Sequence, residues 1–231
     1  MLYTKLHPAL LVRRSNEMIL SRDYDDQNRK EYKIMTTLPK ADINAYEVLP
    51  SNLPRRFYLD LDLKRTHDDF ATTSSDDMIT KTLLNLDQVF KLEFTKLKNA
   101  LKDPIILKTS NESKKRSAHV IFPNLILEDA IQTKYLVQIL KGHKTHLPYM
   151  DFAVYSNNQN FRLPNQSKAG PVDDLGLSTN PILIPPSNKK PEECLVGIYT
   201  TDPITPTELP KLKQKALLNS ISRPSLNSRT E

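Results

Sequence analysis

From Arg55 to Lys64 apolar Phe57, Leu59, Leu61 and Leu63 alternate with Tyr58, Asp60, Asp62 and Lys64, the period-two pattern of a β-strand with one dry and one wet face. The same alternation recurs in Arg116 to Phe122, where Ala118, Val120 and Phe122 lie on one face and Ser117 and His119 on the other. Between these two strands the period changes. Ser75 can cap a helix, Asp76 and Asp77 suit its first turn, and Ile79, Leu83, Leu86, Phe90, Leu97 and Leu101 give a stripe that Pro104 ends. Ile105 to Leu107 begins a further strand, and Asn111 to Lys115 forms a polar, hairpin-like turn.

A second helix is expected from about Glu128 to Lys141, its stripe carried by Ile131, Tyr135, Leu136, Ile139 and Leu140 and its stop by Gly142. Asp151 to Tyr155 reads as a strand leading into Asn157 to Lys168, and Leu195 to Tyr199 as a last strand. Near the start, Leu10 to Val12 and Met18 to Leu20 make two short strands around the turn-prone Ser15 and Asn16. Ser21 to Lys30 is a polar loop, and Pro39, Pro50 and Pro54 punctuate the approach to Arg55. Strands alternating with helices over short connections predict one compact α+β (α/β) unit whose wet strand faces converge on a cleft.

Composition narrows the setting. The 231 residues suffice for one large domain or two small ones, and 38% hydrophobic with 26% charged residues fits a chain with a sizeable core. A run long enough to span a membrane is absent, as is an apolar leader core at the N-terminus. The single cysteine, Cys194, excludes an intramolecular disulfide and a multi-cysteine zinc site, which points to an intracellular, reducing compartment. The net charge of +6 favours polyanionic partners only weakly, because 33 basic and 27 acidic residues are interspersed. Arg13, Arg14, Arg22 and Arg29 could line a groove, and Lys211, Lys213 and Lys215 precede a Ser, Arg and Asn-rich tail expected to be disordered.

The chemistry centres on the first strand. Asp60 and Asp62 stand on one face, roughly 6 to 7 Å apart at Cα. Like charges so placed disfavour each other's ionisation unless a cation lies between them, and Mg²⁺ or Mn²⁺ prefers carboxylate oxygen. The bland alternative is an amphipathic strand whose wet face carries two aspartates. Likewise, a lone strand histidine is more often structural, and Asp151 could be a turn residue after Pro148. Taken together, Asp60, Asp62 and Asp151 are the three carboxylates that a two-metal phosphoryl-transfer site needs. His119, amid Lys114, Lys115 and Arg116, suits phosphate oxygens, and Arg162 and Lys168 supply further positive charge.

In order, Asp60-x-Asp62, Lys115-x-Ser117-x-His119, Asp151 with Val154-Tyr155, and Asn160-Phe161-Arg162-Leu163 with Ser167-Lys168 resemble the motifs of the archaeo-eukaryotic primase superfamily, in particular its primase–polymerase and viral or plasmid replicative branches. The resemblance spans about residues 55 to 170. It implies two apposed α/β lobes, one with an RNA-recognition-motif-like catalytic sheet, within a catalytic domain of residues 1–200 followed by a basic tail or linker at 201–231. It implies Asp60, Asp62 and Asp151 as catalytic ligands of two Mg²⁺ or Mn²⁺ ions. Lys115, Ser117 and His119 would contact the phosphates of the incoming nucleotide, and Arg162 and Lys168 would hold its triphosphate and position its base or sugar.

The implied activity is that of a DNA primase–polymerase, a nucleotidyltransferase that makes or extends primers on single-stranded DNA from nucleoside triphosphates. A fused or separate helicase is a further implied partner. The chain departs from many relatives in lacking the cysteines of their zinc module, which puts unaided primer initiation in question. A metal-dependent nuclease needs the same carboxylates but no triphosphate pocket, so the Ser-x-His strand and the Arg162/Lys168 pair weigh against it. A non-catalytic single-stranded nucleic-acid-binding module would use the basic excess alone, and 7% aromatic content without Trp offers few stacking platforms. A sugar-nucleotide transferase shares only the Asp-x-Asp.

Overall fold

The computed structural model describes residues 11–14, 17–19, 45–49, 51–97, 99–110, 115–155, 159–167, 181–198 and 204–209. Among them the strands are β1 (Leu11–Arg14), β2 (Glu17–Ile19), β3 (Ala45–Leu49), β4 (Arg55–Lys64), β5 (Ile105–Thr109), β6 (Lys115–Leu127), β7 (Gln159–Arg162) and β8 (Leu183–Ile184). The helices are α1 (Ser75–Glu93) and α2 (Ala130–Gly142). The strands form two four-stranded sheets, β2-β1-β3-β7 and β4-β6-β5-β8, with every pairing antiparallel. The fold is therefore α+β. Antiparallel sheets tolerate one wet face, as the alternation along β4 requires.

Strands β4 and β6 form the backbone of the second sheet. Their register runs from Lys64↔Lys115 to Phe57↔Phe122, then slips so that Arg56 meets Ile126. The slip falls where β6 carries Pro123, which has no N–H to give a central strand and is accommodated as a bulge. On the dry face Phe57, Leu59, Leu61 and Leu63 are fully buried and share one core with Met78, Leu86 and Phe90 of α1 and Tyr135, Leu136 and Leu140 of α2.

The helices differ from expectation at their ends. Ser74, not Ser75, caps α1: its side chain accepts from the Asp77 N–H, while the Asp77 carboxylate accepts from the Ser74 hydroxyl and N–H, which hold the Asp77 carboxyl below its ordinary pKa. The helix stops at Glu93 instead of continuing to Pro104. Phe94 leaves the helical path (φ −139°, ψ 55°) to bury its ring against Phe90, 5.1 Å between centroids, and a 3-10 turn follows at Thr95–Leu97. Burying one large ring outweighs the modest propensity for another helical turn.

Helix α2 is capped by Asp129, which accepts from the Gln132 N–H, and Gly142 is its last helical residue. Ile131, expected in the buried stripe, is 53% exposed. Asp151 to Tyr155 is a turn, not a strand, because the Asp151 carboxylate accepts from the Ala153 N–H and curls the chain. Pro191–Cys194 is a 3-10 turn, and of the expected strand at Leu195 to Tyr199 a single pairing of Gly197 with Arg55 is seen, Tyr199 lying outside the described residues. Strand β7 was not anticipated. It joins β3 through Glu47↔Phe161 and Tyr46↔Arg162, and so ties the Asn160-to-Leu163 run to the first sheet.

The expected strands around residues 10–12 and 18–20 correspond to β1 and β2, which pair with each other. The loop at 21–30, the groove residues Arg22 and Arg29, most of the turn at 111–115, and the tail beyond Leu209 lie outside the described residues.

Candidate active site

Because side chains alternate along a strand, the β4–β6 register decides what faces what on the wet side. Asp60 lies directly across from His119, and Asp62 from Ser117. Such cross-strand pairs approach to about 5 Å at Cβ. The Ser117 hydroxyl donates to Asp62 Oδ1 at 2.8 Å, and Lys115 Nζ lies 2.6 Å from the same oxygen. His119 Nε2 stands 3.8 Å from Asp60 Oδ1, an attraction too long for a direct hydrogen bond. Both carboxylates are 14% exposed and His119 only 5%, so their charges act in a partly dried environment.

Arg162 arrives from the other sheet. It is 6% exposed, and its Nη1 donates to the Pro181 carbonyl at 3.0 Å. Burial lowers its pKa, while the nearby Asp60, Tyr46 and Asp62 act to raise it.

Asp151 is carried to the same place by the backbone. Its N–H donates to the Asp60 carbonyl at 2.8 Å, and the Asp62 N–H donates to the Tyr149 carbonyl at 2.8 Å, so the 149–151 segment runs along the edge of β4. Two tyrosines pin it there. Tyr155 donates to the Tyr58 carbonyl and Tyr58 to the Val154 carbonyl, each at 2.9 Å, with ring centroids 5.1 Å apart. Burial raises the pKa of both hydroxyls, so both remain neutral donors at physiological pH. Replacing Tyr155 by Phe removes one buried bond and is expected to cost about 1 to 2 kcal/mol, read as a lower urea midpoint at unchanged slope. A midpoint equal to wild type would show that the segment is held by packing alone.

Five of the eight site residues read from the sequence thus meet on one strand pair, Asp60, Asp62, Lys115, Ser117 and His119, and the charge of Arg162, on the other sheet, feels the field of both aspartates. Asp151 is adjacent through its backbone, with its carboxylate turned to Ala153. Lys168 lies outside the described residues. Among the described residues no three His, Cys, Asp or Glu side chains gather as a ready metal ligand set. Asp60 and Asp62 are the pair that could hold a hard cation, and Asp151 could join them by releasing the Ala153 N–H.

Sequence reasoning missed Phe161, whose ring lies 4.2 Å from the His119 ring and 4.6 Å from that of Tyr58. It also missed Glu47, a buried carboxylate that accepts from the Val196 and Gly197 N–H groups at 3.0 and 2.6 Å. A cavity of about 340 Å³ between the end of α1 and the 208–209 segment contains none of the predicted site residues. Among the described residues no helix is long and apolar enough to cross a membrane. No protein-family model matches the chain, and no curated protein matches it. What the fold and site define is an α+β chain with paired aspartates faced by Ser, His, Lys and Arg.

Proposed function

We propose that the chain is a template-directed nucleotidyltransferase of the primase–polymerase kind, synthesising or extending primers on single-stranded DNA. The observation that carries this reading is the cross-strand register that sets Asp60 against His119 and Asp62 against Ser117. A surface needing only general polyanion affinity has no use for two like charges at the centre of its basic groups. A nuclease would need the aspartates but not the Ser, His and Arg beside them. We read the two sheets as the two lobes of such an enzyme, with β4-β6-β5-β8 as the RNA-recognition-motif-like catalytic sheet.

Asp60 and Asp62, with Asp151, fit a pair of Mg²⁺ or Mn²⁺ ions by their hard oxygen donors, and such ions supply an acidified 3′-hydroxyl and a neutralised pyrophosphate leaving group. The chain's own groups do the rest. Lys115 and His119 donate to triphosphate oxygens, Ser117 orients the Asp62 carboxylate, and the Arg162 fork, joined by Lys168, fixes the triphosphate in line. Template and primer bind by sequence-independent, salt-sensitive contacts. A helicase, fused or separate, is the fitting partner, and an intracellular reducing compartment the fitting place.

The test is incorporation of labelled nucleotide on a primed single-stranded template with Mg²⁺ or Mn²⁺. Strand degradation without nucleotide would instead identify a nuclease, and strand binding that survives EDTA without incorporation a binding module. Arg162→Lys keeps the charge but loses the planar fork, and is expected to raise the nucleotide KM roughly tenfold with kcat little changed. A variant with wild-type KM would remove Arg162 from the triphosphate contacts.

A further inference from the structure

Resting on that reading, we propose that Phe161 is a positioning residue, whose ring holds the plane of the His119 imidazole beside Asp60 and the triphosphate. The argument begins with the imidazole. His119 lies in the middle of β6 with its side chain nearly dry, and a strand histidine can reorient about both side-chain torsions. At 3.8 Å Asp60 attracts the Nε2 edge without fixing the plane of the ring. Phe161 packs against the imidazole, with centroids 4.2 Å apart and planes inclined by 32°, a tilted contact that blocks the imidazole from swinging out of its plane toward β7.

Phe161 is itself immobilised. It is 5% exposed, and its other neighbour is the Tyr58 ring at 4.6 Å and 58°, which is braced in turn by Tyr155. It also belongs to a different sheet from the residue it orients, because β7 pairs with β3 while His119 is on β6. The residue packed on the imidazole is thus the chain neighbour of Arg162 on one short strand. Phe161 also belongs to the buried core, and kinetics can tell a positioning ring from one that only fills space.

The experiment compares Phe161→Leu, which keeps most of the volume, with Phe161→Tyr, which keeps the ring; Phe161→Met stands in should the leucine variant fold poorly. If the ring acts through His119, the leucine variant raises the nucleotide KM roughly tenfold with kcat within about twofold, the tyrosine variant stays near wild type, and leucine adds no further effect in a His119→Ala background. A fall in kcat at unchanged KM, as from a smaller folded fraction, overturns the proposal. So does an equal KM effect with His119 already gone.

An NMR arm keeps this separate from the polymerase reading. The His119 ring protons should carry an upfield ring-current shift that Phe161→Leu abolishes and Phe161→Tyr preserves. If the wild-type protein incorporates no nucleotide, the polymerase reading falls and this signal decides the contact alone. A His119 resonance unmoved by the leucine substitution overturns it.

Discussion

Exchanging Asp60 and Asp62 together for asparagine is expected to abolish the proposed nucleotide incorporation and to leave the fold standing. Asparagine keeps the shape and one acceptor oxygen, so the Ser117 hydroxyl retains a partner where it now meets Asp62 Oδ1. What disappears is the charge that would hold divalent cations and balance a developing triphosphate. Removing one preorganised electrostatic group from an active site typically costs 10²- to 10³-fold in kcat, so losing both ligands should cost on the order of 10³-fold or more, about 4 kcal/mol of barrier.

Stability should move far less. Two carboxylates on strand positions roughly 6 to 7 Å apart at Cα repel by about 2 to 3 kcal/mol at an effective dielectric near 20 if their side chains run parallel, which asparagine relieves. Against this stands the lost attraction to Lys115, whose side chain is 32% exposed and whose pairing is therefore screened, and to the buried Arg162. The terms nearly cancel, and the double variant should unfold within about 1 kcal/mol of wild type. Two measurements check this: labelled-nucleotide incorporation and a urea titration. Incorporation at wild-type rate would sink the assignment, whereas a collapsed urea midpoint would mean that the aspartates hold the sheet together.

Why the faces of single strands were legible while the pairing between distant strands was not follows from the reach of each signal. Asp60 and Asp62 share a strand face because of local period two, and so do Ser117 and His119; that the two strands lie side by side, across the intervening α1 and β5, is set by the sheet and not by any local signal. The buried stripe of α1 was equally local, up to the point where Phe94 found a better partner in Phe90 than another turn of helix could give. Strand β7 lacks a local signal, since Gln159 to Arg162 is polar on both sides of a single aromatic. It becomes a strand because β3, more than a hundred residues earlier, offers it an edge. Asp151 was misread for a related reason: its neighbours alternate like a strand, but an aspartate can bond its own backbone two residues on, and here it does.

Glu47 is the extreme of that non-local category, because its partners are 149 and 150 residues away and nothing near it in the chain announces them. It projects from β3 of the first sheet, is 1% exposed, and receives two consecutive backbone N–H groups, those of Val196 and Gly197. The same strap is bound from the other side by β4: the Arg56 N–H donates to the Val196 carbonyl at 2.8 Å, and Arg56 Nη1 to the Leu195 carbonyl at 2.6 Å. The strap thus joins the sheet that carries Arg162 and Phe161 to the sheet that carries Asp60 and His119.

Glu47→Ala leaves two buried N–H groups without their charged acceptor, each worth about 1 to 3 kcal/mol, so a loss of about 3 to 4 kcal/mol is expected. Glu47→Gln keeps one acceptor oxygen but turns an amide NH₂ toward the other N–H, and should lose roughly half as much. Because the lost joint lies between the sheets, activity should fall in the glutamine variant even while it remains folded, through displacement of Arg162 from the aspartates. Urea unfolding of the two variants gives the order of stabilities, and the nucleotide KM of Glu47→Gln reports the displacement. An alanine variant within 1 kcal/mol of wild type would mean that the strap is held by Arg56 and its own packing, with the carboxylate a bystander.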